Sequence, residues 1–497
     1  MVPRAADVVI VGGGSCGSVL AARLSEDPAC SVLLIESGAG DPVPASPTPA
    51  HILPIGPGSP RVRLYSTTLR RGLAGTLVRG RGPGGSGAVN GAYFVRATPA
   101  DLESWGSTIG GGPGRTGWSY GDALPYFRRS ENDRDFGSSS AHGAAGPVPV
   151  SRRPAGEWST TTARFVAAAE AMGFPGEPDK NAGGPPGIGP VPCNIDRGMR
   201  VDPGSAYLAA AAERPNLTVW TGATVAGLQS TAGAVRAVQV IRDGESLLVE
   251  AGTAVVAAGA IETPALLWRS GIGDPRILGA ATVHPLPGVG REFSDHPEIT
   301  VPYDPVPRRP AADPLVAERV PPPILEACLN LNSGDGAVEI RPYTASFGDA
   351  VPGNPRMPPV LGAALMAPRG RGRMVPHPTD PLGAPRIEHH YLSDPRDKAA
   401  AVAAVDLARG LLDASGIGAP IDGMTPHLGT SQHLSGTCPM GSDVGTSVVD
   451  QCCRVHGIAG LYIVDTSVFP RVPSRGPHAT AVMLAERAAE FIASGFP

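Results

Sequence analysis

The stretch that decides the fold is Gly12-Gly13-Gly14-Ser15-Cys16-Gly17, which follows the apolar run 8–11, while Glu36 ends the next apolar run, 32–35. The spacing predicts a βαβ unit. In it Gly12 allows a tight turn, Gly14 lets the backbone approach a diphosphate, and Gly17 lets the helix pack on the sheet. The N-terminus of that helix favours negative charge, and Glu36 can accept hydrogen bonds from ribose hydroxyls. The stretch predicts a bound adenine dinucleotide and leaves NAD and FAD open.

Length and composition limit the class of protein. A chain of 497 residues, 42% apolar and 17% charged, predicts a folded protein with more than one domain. Its net charge of −4 gives no basic footprint for nucleic acid, so no nucleic-acid partner is expected. No segment approaches the roughly 18 apolar residues of a transmembrane helix. The first strand begins near Asp7 and leaves no room for a signal peptide, so we expect a cytoplasmic protein, with binding to the inner face of the membrane left open.

Cysteine and histidine spacing argues against a structural metal. The seven cysteines include no CxxC pair, which predicts reduced thiols rather than a disulfide framework or a zinc site. His389-His390 has no acidic or cysteine partners at metal-ligand spacing. No metal site is therefore predicted.

The rest of the chain predicts short elements separated by Gly/Pro-rich segments. Residues 41–91 show little periodicity, and we interpret them as a loop laid over a ligand, leading into an ordered stretch at 88–95. Apolar patterns predict a small meander at 217–250 and two buried strands at 254–258 and 461–465. They also predict two amphipathic helices, at 160–173 and 480–494. Proline-rich residues 301–325 predict a loop that crosses between domains. Because strands return late to the first sheet, the dinucleotide domain should be discontinuous.

Several ordered motifs carry a family resemblance over nearly the whole chain, at residues 80–91, 117–120, 259–273, 286–290, 295–297 and 391–395. Together they resemble the glucose-methanol-choline (GMC) flavoprotein oxidoreductases. The resemblance implies FAD as the cofactor. It also implies an α/β fold with a discontinuous Rossmann-like FAD-binding domain and an α+β substrate-binding domain built on an antiparallel sheet. The expected FAD-binding segments are 1–150, 191–295 and 431–497, and the expected substrate-domain segments are 151–190 and 296–430.

The resemblance also assigns cofactor residues. The adenosine and diphosphate would be held by Gly12, Gly14, Ser15, Gly17 and Glu36. The remaining FAD contacts would be made by Gly84, Gly85, Ser86, Asn90, Val225, Asp465 and the backbone around His478 and Ala479. Some relatives attach FAD through a histidine in the glycine-rich segment, but no histidine occurs between His51 and His142 here. We therefore expect non-covalent FAD.

Two histidines are the predicted catalytic residues, His433 and His478, which match family positions that form a His/His or His/Asn pair at the flavin ring. Hydride leaves an alcohol carbon only as the hydroxyl proton is removed, and imidazole suits that task because its pKa of about 6.5 lies near working pH. We favour His433 as the base. Arg475 is either a structural arginine or a contact for an anionic or hydroxyl-rich substrate at the pocket mouth.

Within the family, residues 53–60, 339–343 and 473–480 most resemble actinobacterial members linked to the redox cofactor mycofactocin. This resemblance implies a dehydrogenase that oxidises mycofactocinol and passes electrons to a respiratory acceptor. Ser435, Pro439 and the short chain depart from better-known alcohol and choline oxidases and put their small substrates in doubt. Two alternatives remain: a dehydrogenase or oxidase of a free alcohol, choline or sugar, and a non-catalytic flavin electron-transfer protein.

Overall fold

The computed structural model describes residues 4–41, 48–109, 117–306, 320–333 and 336–495. In chain order the strands β1 to β24 are Ala5–Val11, Val32–Ile35, Val62–Arg70, Leu73–Gly80, Glu131–Asp133, Val148–Val150, Ile188–Pro190, Ile195–Asp196, Met199–Arg200, Leu217–Trp220, Ala223–Thr231, Ala234–Arg242, Glu245–Val256, Ile272–Gly273, His284–Pro285, Pro297–Pro305, Ala327–Ser333, Gly336–Pro342, Val360–Leu365, Arg373–Val375, Arg386–Glu388, Gly418–Pro420, His427–Thr430 and Leu461–Ile463. The helices α1 to α10 are Ser15–Leu24, Pro99–Ile109, Tyr120–Ser130, Thr160–Ala171, Ala209–Ala211, Gly259–Arg269, Pro275–Leu278, Phe347–Ala350, Pro395–Ser415 and His478–Ala493.

The first sheet has the strand order β10-β2-β1-β13-β12-β11, with β24 beside β13. Strands β10, β2, β1, β13 and β24 run parallel, whereas β11 to β13 form an antiparallel meander. The apolar runs of β1 and β2 are buried between helices because parallel strands are covered on both faces. Segments from the start, middle and end of the chain share this sheet, as a discontinuous domain requires.

Two details of the predicted elements were wrong. Residues 217–220 form no part of the meander but pair in parallel with β2, because their apolar side chains extend the buried edge of the first sheet. The segment 41–91 contains the long antiparallel hairpin of β3 and β4, whose alternating exposure escaped notice among its glycines. Residues 42–47 of that segment, and 307–319 of the proline-rich one, lie outside the described residues.

The second sheet has the order β22-β16-β19-β18-β17-β7, and β23 also pairs with β16. Helices α4 and α9 cover one of its faces with small and aliphatic side chains. Asp394 caps α9, Pro395 occupies its first turn, and Gly416 ends it in the left-handed region at φ 57°. This sheet supplies β16 and β23, the strands that flank the candidate site.

A third, smaller sheet joins β20 and β21 to the hairpin, in the order β20-β21-β3-β4. Residues 373–388 were assigned to the substrate domain by sequence, yet they pair with β3 from the first FAD-binding segment. This sheet therefore combines strands from a predicted substrate-domain segment with strands from a predicted FAD-binding segment. The domain boundaries stay predictions. Among the described residues, no helix has both the length and the apolar character to cross a membrane.

A buried ionic cluster ties β5 to the loop at 179. His142 Nδ1 lies 2.9 Å from Glu131 Oε1 and 3.0 Å from Asp133 Oδ2, and its Nε2 lies 2.8 Å from Asp179. Arg96 pairs with Glu131, and Arg152 pairs with both aspartates. With His142 protonated, the three carboxylates of Glu131, Asp133 and Asp179 face three cations, and the more exposed Asp135 also pairs with Arg152, at 3.4 Å. The protein's own side chains therefore neutralise the buried carboxylates of this cluster.

This cluster predicts a pH-dependent stability. Burial alone would lower the pKa of His142, but hydrogen bonds to Asp133, Asp179 and Glu131 raise it from 6.5 to about 10. The stabilising contribution is therefore complete below pH 6.5 and is lost as pH rises through about 10. We expect His142→Gln to lower the free energy of unfolding at pH 6.5 and to flatten its decline up to pH 10, measured by urea unfolding. The exposed His377→Gln is the control; an unchanged pH profile in His142→Gln would contradict this account.

Candidate active site

The nucleotide end of the site is built from the turn between β1 and α1. Gly12 has φ +104°, and a Cβ there would meet the carbonyl oxygen of Ala257 at 2.6 Å. A Cβ on Gly17 would collide with the carbonyl of Gly12. Glu36 accepts hydrogen bonds from the amides of Gly13, at 2.8 Å, and of Gly38 and Gly82, at 2.7 and 3.0 Å. These contacts hold a cradle that has no room for side chains.

The glycine-rich loop 84–90 lies directly against that turn. The amide of Gly84 donates to the carbonyl of Gly13 at 2.8 Å, and a Cβ on Gly85 would meet Gly14 Cα at 2.7 Å. Ser86 accepts from the amide of Gly80 at 3.0 Å through its hydroxyl. The sequence separated these two loops by some 70 residues, and the structure brings them together.

Open space along these loops fits a dinucleotide. Helix α1 begins without a side-chain cap, so its first amides are available to a diphosphate. Gly14 and Ser15 are partly accessible beside it. A Cβ added at Gly91 or Gly259 would meet nothing within 4 Å. The residues present therefore fit an extended, anionic cofactor laid across the start of α1.

Three further predicted cofactor residues lie at strand or helix ends. Val225 is buried on β11, beside a register shift, and its carbonyl accepts from Arg269 at 3.0 Å. Asp465 accepts from the Gly259 amide at 2.9 Å and the Thr263 hydroxyl at 2.6 Å, so its carboxylate ties α6 to the segment after β24. Ala479 is buried in the first turn of α10.

His478 faces the cofactor loops. Its Nε2 lies 3.2 Å from the hydroxyl of Ser15, and its Nδ1 lies 3.1 Å from Asn90 Nδ2. Because an amide nitrogen donates, Nδ1 accepts and Nε2 carries the ring proton. Burial lowers the pKa of His478 to about 4, and the charge of Arg200 acts in the same direction. The structure thus places His478 among residues assigned to the cofactor, and no hydrogen bond within the described chain joins it to His433.

His433 instead pairs with His296, a histidine for which no role was predicted. Its Nδ1 lies 2.9 Å from Nδ1 of His296, and the two rings meet edge to face, at 89°. Burial lowers the pKa of His433 well below its usual range, and His296 and Arg341 lower it further. His433 is still partly accessible. It is therefore a neutral imidazole with one ring nitrogen bonded within the protein.

Asp295 fixes the backbone under this histidine pair. Its Oδ1 accepts from the amides of His433 and His296, at 2.7 and 2.8 Å. Its Oδ2 accepts from Thr430 at 2.8 Å and lies 3.1 Å from Nε2 of His389. Burial alone would raise the pKa of Asp295, but the hydrogen bond to His389 and nearby positive charge hold it below its usual range. The carboxylate stays ionised and joins β16 to β23.

Gln432, the residue before His433, is held in a strained conformation. Its φ is +66°, a region that side chains disfavour. The side-chain oxygen accepts from the amide of Val78 at 2.9 Å and from Arg79 at 3.1 Å, and the amide nitrogen donates to the carbonyl of Thr76 at 3.2 Å. The contacts with β4 therefore fix the backbone of Gln432 and, with it, the course of the chain from the end of β23 to His433.

A buried charged network lies on β16 and β18, close to the histidine pair. Arg341 pairs with Glu298 at 2.8 Å and with Glu339 at 2.6 Å. Glu298 also accepts from the hydroxyl of Tyr343 at 2.6 Å, and Glu339 from that of Tyr93 at 3.1 Å. Every one of these carboxylates is thus already bonded within the protein.

Arg475 lies inside the protein rather than at an exposed mouth. It is 5% exposed, and its Nη2 donates to Glu177 at 3.0 Å. Lys180 shares that carboxylate at 2.7 Å. Nε of Arg475 is buried and has no hydrogen-bond partner among the described residues. The arginine therefore has a structural ion pair, and contact with a substrate remains a prediction.

Sequence reasoning noted 295–297 as a family motif but missed that Asp295 and His296 serve the same site as His433. A signal was present in the sequence, because Asp295 and His296 are adjacent ionisable residues directly before β16, and the acidic Glu298 follows closely. Gln432 gave no signal, since its strain arises only from pairing with β4.

Comparisons with known proteins show the family to which the chain belongs. Sequence profiles of the GMC oxidoreductase family match residues 6–298 and 368–485. An uncharacterized GMC-type oxidoreductase in the thcA 5' region of Rhodococcus erythropolis is 44% identical over 505 aligned positions, covering 98% of each chain. The 5-(hydroxymethyl)furfural oxidase of Methylovorus sp. is 33% identical, again over 98% of each chain.

A solved structure supports the same assignment. The crystal structure of pyridoxine 4-oxidase from Mesorbium loti superposes with a TM-score of 0.83 at 30% identity, covering 99% of each chain. Because the family profiles match most of the chain and these relatives cover nearly all of it, this chain is an FAD-binding oxidoreductase that belongs to the GMC oxidoreductase family.

Proposed function

We propose that the protein oxidises a CH–OH donor to the carbonyl compound, with His433 as the base that takes the hydroxyl proton. The observation that carries this proposal is a neutral, partly accessible histidine that is held by Asp295 and His296 on a rigid strand pair. When bound, FAD supplies the hydride acceptor at its N5 atom. A neutral imidazole at working pH is ready to receive a proton without first losing one.

Two other groups act on the cofactor side. Helix α10 starts at His478 without a side-chain cap, so its N-terminus favours negative charge nearby. His478 itself bonds to Ser15 and Asn90, and we propose that it holds the cofactor rather than the donor hydroxyl. This differs from the expected catalytic pair, in which His478 would act on the donor.

We favour a neutral or hydroxyl-rich alcohol as the donor, because the relatives named above act on hydroxymethylfurfural and pyridoxine. Choline stays an alternative, since the buried network of Arg341 with Glu298 and Glu339 holds two carboxylates against one guanidinium and so does not repel a cation.

We further propose mycofactocinol as the physiological donor and a respiratory-chain component as the acceptor, in a cytoplasmic or membrane-peripheral setting. The support is the resemblance of residues 53–60, 339–343 and 473–480 to that subgroup. In the structure Leu53 and Tyr343 share one hydrophobic cluster, while Glu339 and Arg475 interact electrostatically. Three separate segments thus contribute to one region beside the site.

An anaerobic reduction assay tests these donors. Purified holoenzyme is mixed without oxygen with reduced mycofactocin, with a panel of neutral alcohols and sugars, and with choline, and the visible absorbance of FAD is followed. Bleaching by reduced mycofactocin alone supports the specific proposal, and bleaching by simple alcohols supports the alternative. If dithionite bleaches the protein and no donor does, the protein is an electron-transfer flavoprotein and the proposed oxidation is wrong.

FAD attachment is a separate prediction. Because no histidine lies between His51 and His142, the glycine-rich loop has no imidazole to form a covalent link. We expect acid or heat denaturation to release free, unmodified FAD into the supernatant, identified by chromatography. Flavin that stays with the precipitated protein would show that the attachment is covalent.

A further inference from the structure

Asp295 joins His433 to a third buried histidine, His389. One carboxylate oxygen, Oδ1, accepts from the His433 amide at 2.7 Å, and the other, Oδ2, lies 3.1 Å from Nε2 of His389. Among the described residues, His389 is the only basic side chain with a nitrogen within 4 Å of this carboxylate, and both groups are fully buried. Arg79 also lowers the pKa of Asp295, but from a greater distance. Because a buried carboxylate is costly without a close partner, Asp295 depends on His389.

The hydrogen bonds at Asp295 decide where a proton of His389 lies. Oδ1 accepts from the backbone amides of His296 and His433, at 2.8 and 2.7 Å. Oδ2 accepts from the hydroxyl of Thr430 at 2.8 Å. Three donors to one carboxyl group favour its ionised form, and an ionised carboxylate can only accept. Nε2 of His389 must therefore carry a proton and donate it to Oδ2.

The direction of the Thr430 bond is fixed by the other partners of its hydroxyl. The oxygen accepts from the amide of Gln432 at 3.0 Å and from the hydroxyl of Tyr391 at 3.1 Å. The single hydroxyl hydrogen of Thr430 is then left to donate to Asp295. Asp295 is thus surrounded by donors and receives no hydrogen that it could pass to His389.

The other ring nitrogen of His389 does not change this conclusion. Nδ1 lies 2.9 Å from the hydroxyl of Thr67, and that hydroxyl also lies 3.0 Å from the carbonyl of Ile387. If the hydroxyl donates to Nδ1, the ring is neutral with its proton on Nε2. If it donates to the carbonyl, Nδ1 donates to the hydroxyl and both nitrogens are protonated. Nε2 carries a proton in either case.

Packing holds the ring of His389 in this orientation. Phe293 meets it edge to face, with the ring centres 5.1 Å apart at 86°, and Tyr391 packs on it at 4.6 Å. Thr67 belongs to β3, so the third sheet supports the ring from the side opposite Asp295. The backbone of His433 is thereby tied, through Asp295 and His389, to the β3–β4 hairpin.

We propose that His389 is a positioning residue that donates a hydrogen bond from Nε2–H to Asp295 and thereby fixes the backbone that carries His433. This inference rests on the proposed function for its purpose, because His433 is the proposed base. The hydrogen bond itself is a property of the resting protein. It can be measured without any alcohol, so its failure is separate from failure of the proposed oxidation.

The direct test is ¹⁵N–¹H NMR of oxidised holoenzyme labelled with ¹⁵N-histidine. The His389 signals are identified by their loss in His389→Gln. We expect Nε2 of His389 to carry a proton that exchanges slowly with water and is shifted downfield by the carboxylate. An unprotonated Nε2 would overturn the proposal.

Two amide variants separate the hydrogen bond from packing. The side-chain nitrogen of glutamine reaches about as far from the backbone as Nε2 of histidine, so His389→Gln can still donate to Asp295. Asparagine reaches only as far as Nδ1, so His389→Asn cannot. The adjacent His390 has a side chain that is 44% exposed, and His390→Asn is the matched control. FAD content and thermal stability are measured first for all three variants.

With the fastest alcohol of the panel, His389→Asn should lose on the order of tenfold or more in the limiting rate of flavin reduction, because a misplaced base reacts slowly. The alcohol concentration that gives half of that rate should change less. His389→Gln should recover most of the wild-type rate, and His390→Asn should keep it. Equal rates in flavin-loaded His389→Asn and His389→Gln would show that the hydrogen bond to Asp295 has no positioning role.

Discussion

Replacing His433 with alanine should slow anaerobic flavin reduction by the best donor on the order of 10²-fold or more, with FAD still bound. The reason is that no other neutral, partly accessible imidazole is bonded to Asp295 and His296 in the described site. Without it the donor hydroxyl loses its proton acceptor while the carbon must still release hydride. Stopped-flow reduction under saturating donor measures the effect.

A matched control comes from the same strand. His427 lies at the start of β23, its side chain is exposed, and His427→Ala should reduce flavin at the wild-type rate. FAD content is measured for both variants, because loss of cofactor would mimic loss of a base. Near-normal reduction by flavin-loaded His433→Ala would remove His433 from its assigned role.

Replacing Gly12 with alanine should abolish FAD binding. Its φ of +104° strains any side chain, and the new Cβ would lie 2.6 Å from the Ala257 carbonyl oxygen and 2.9 Å from its carbon. The backbone of Ala257 cannot move aside as a flexible side chain can. The turn after β1, and with it the start of α1, must therefore shift. The ratio of flavin to protein absorbance after purification measures the loss.

The control separates crowding from backbone strain. Gly72, in the turn between β3 and β4, has φ +79° and open space around its Cβ position. Gly72→Ala bears the left-handed penalty of roughly 1–2 kcal/mol without any collision, and should keep its FAD. Stoichiometric FAD in a folded Gly12→Ala variant would contradict the close approach on which the cradle depends.

The glycine-rich turn and the parallel strands beside it could be predicted from the sequence, because they follow local rules. Glycines at 12, 14 and 17 with Glu36 identify a turn whose geometry is set within 30 residues. Runs of apolar residues placed β1, β2 and β24 correctly, since parallel strands buried on both faces have few polar positions. The strand at 217–220 was misplaced because its pairing with β2 depends on a partner 185 residues away.

The surroundings of His433, where the alcohol is proposed to react, were less predictable because their contacts are long-range. His433 was identified from its motif, but its partner His296 lies 137 residues earlier, and neither strand pattern nor spacing signals an Nδ1–Nδ1 bond. The strained backbone of Gln432 depends on contacts to Thr76, Val78 and Arg79, which belong to another segment. Side-chain networks of this kind are fixed by three-dimensional pairing rather than by local pattern.

The most direct measurement of the central claim is anaerobic single-turnover reduction of bound FAD by the fastest alcohol donor and by its form deuterated at the carbinol carbon. We expect both forms to bleach the flavin, and we expect deuterium to slow the wild-type reaction because the carbon–hydrogen bond breaks as His433 receives the hydroxyl proton. Equal rates for the two forms in a step shown to be flavin reduction, or no bleaching by any alcohol, would contradict that claim.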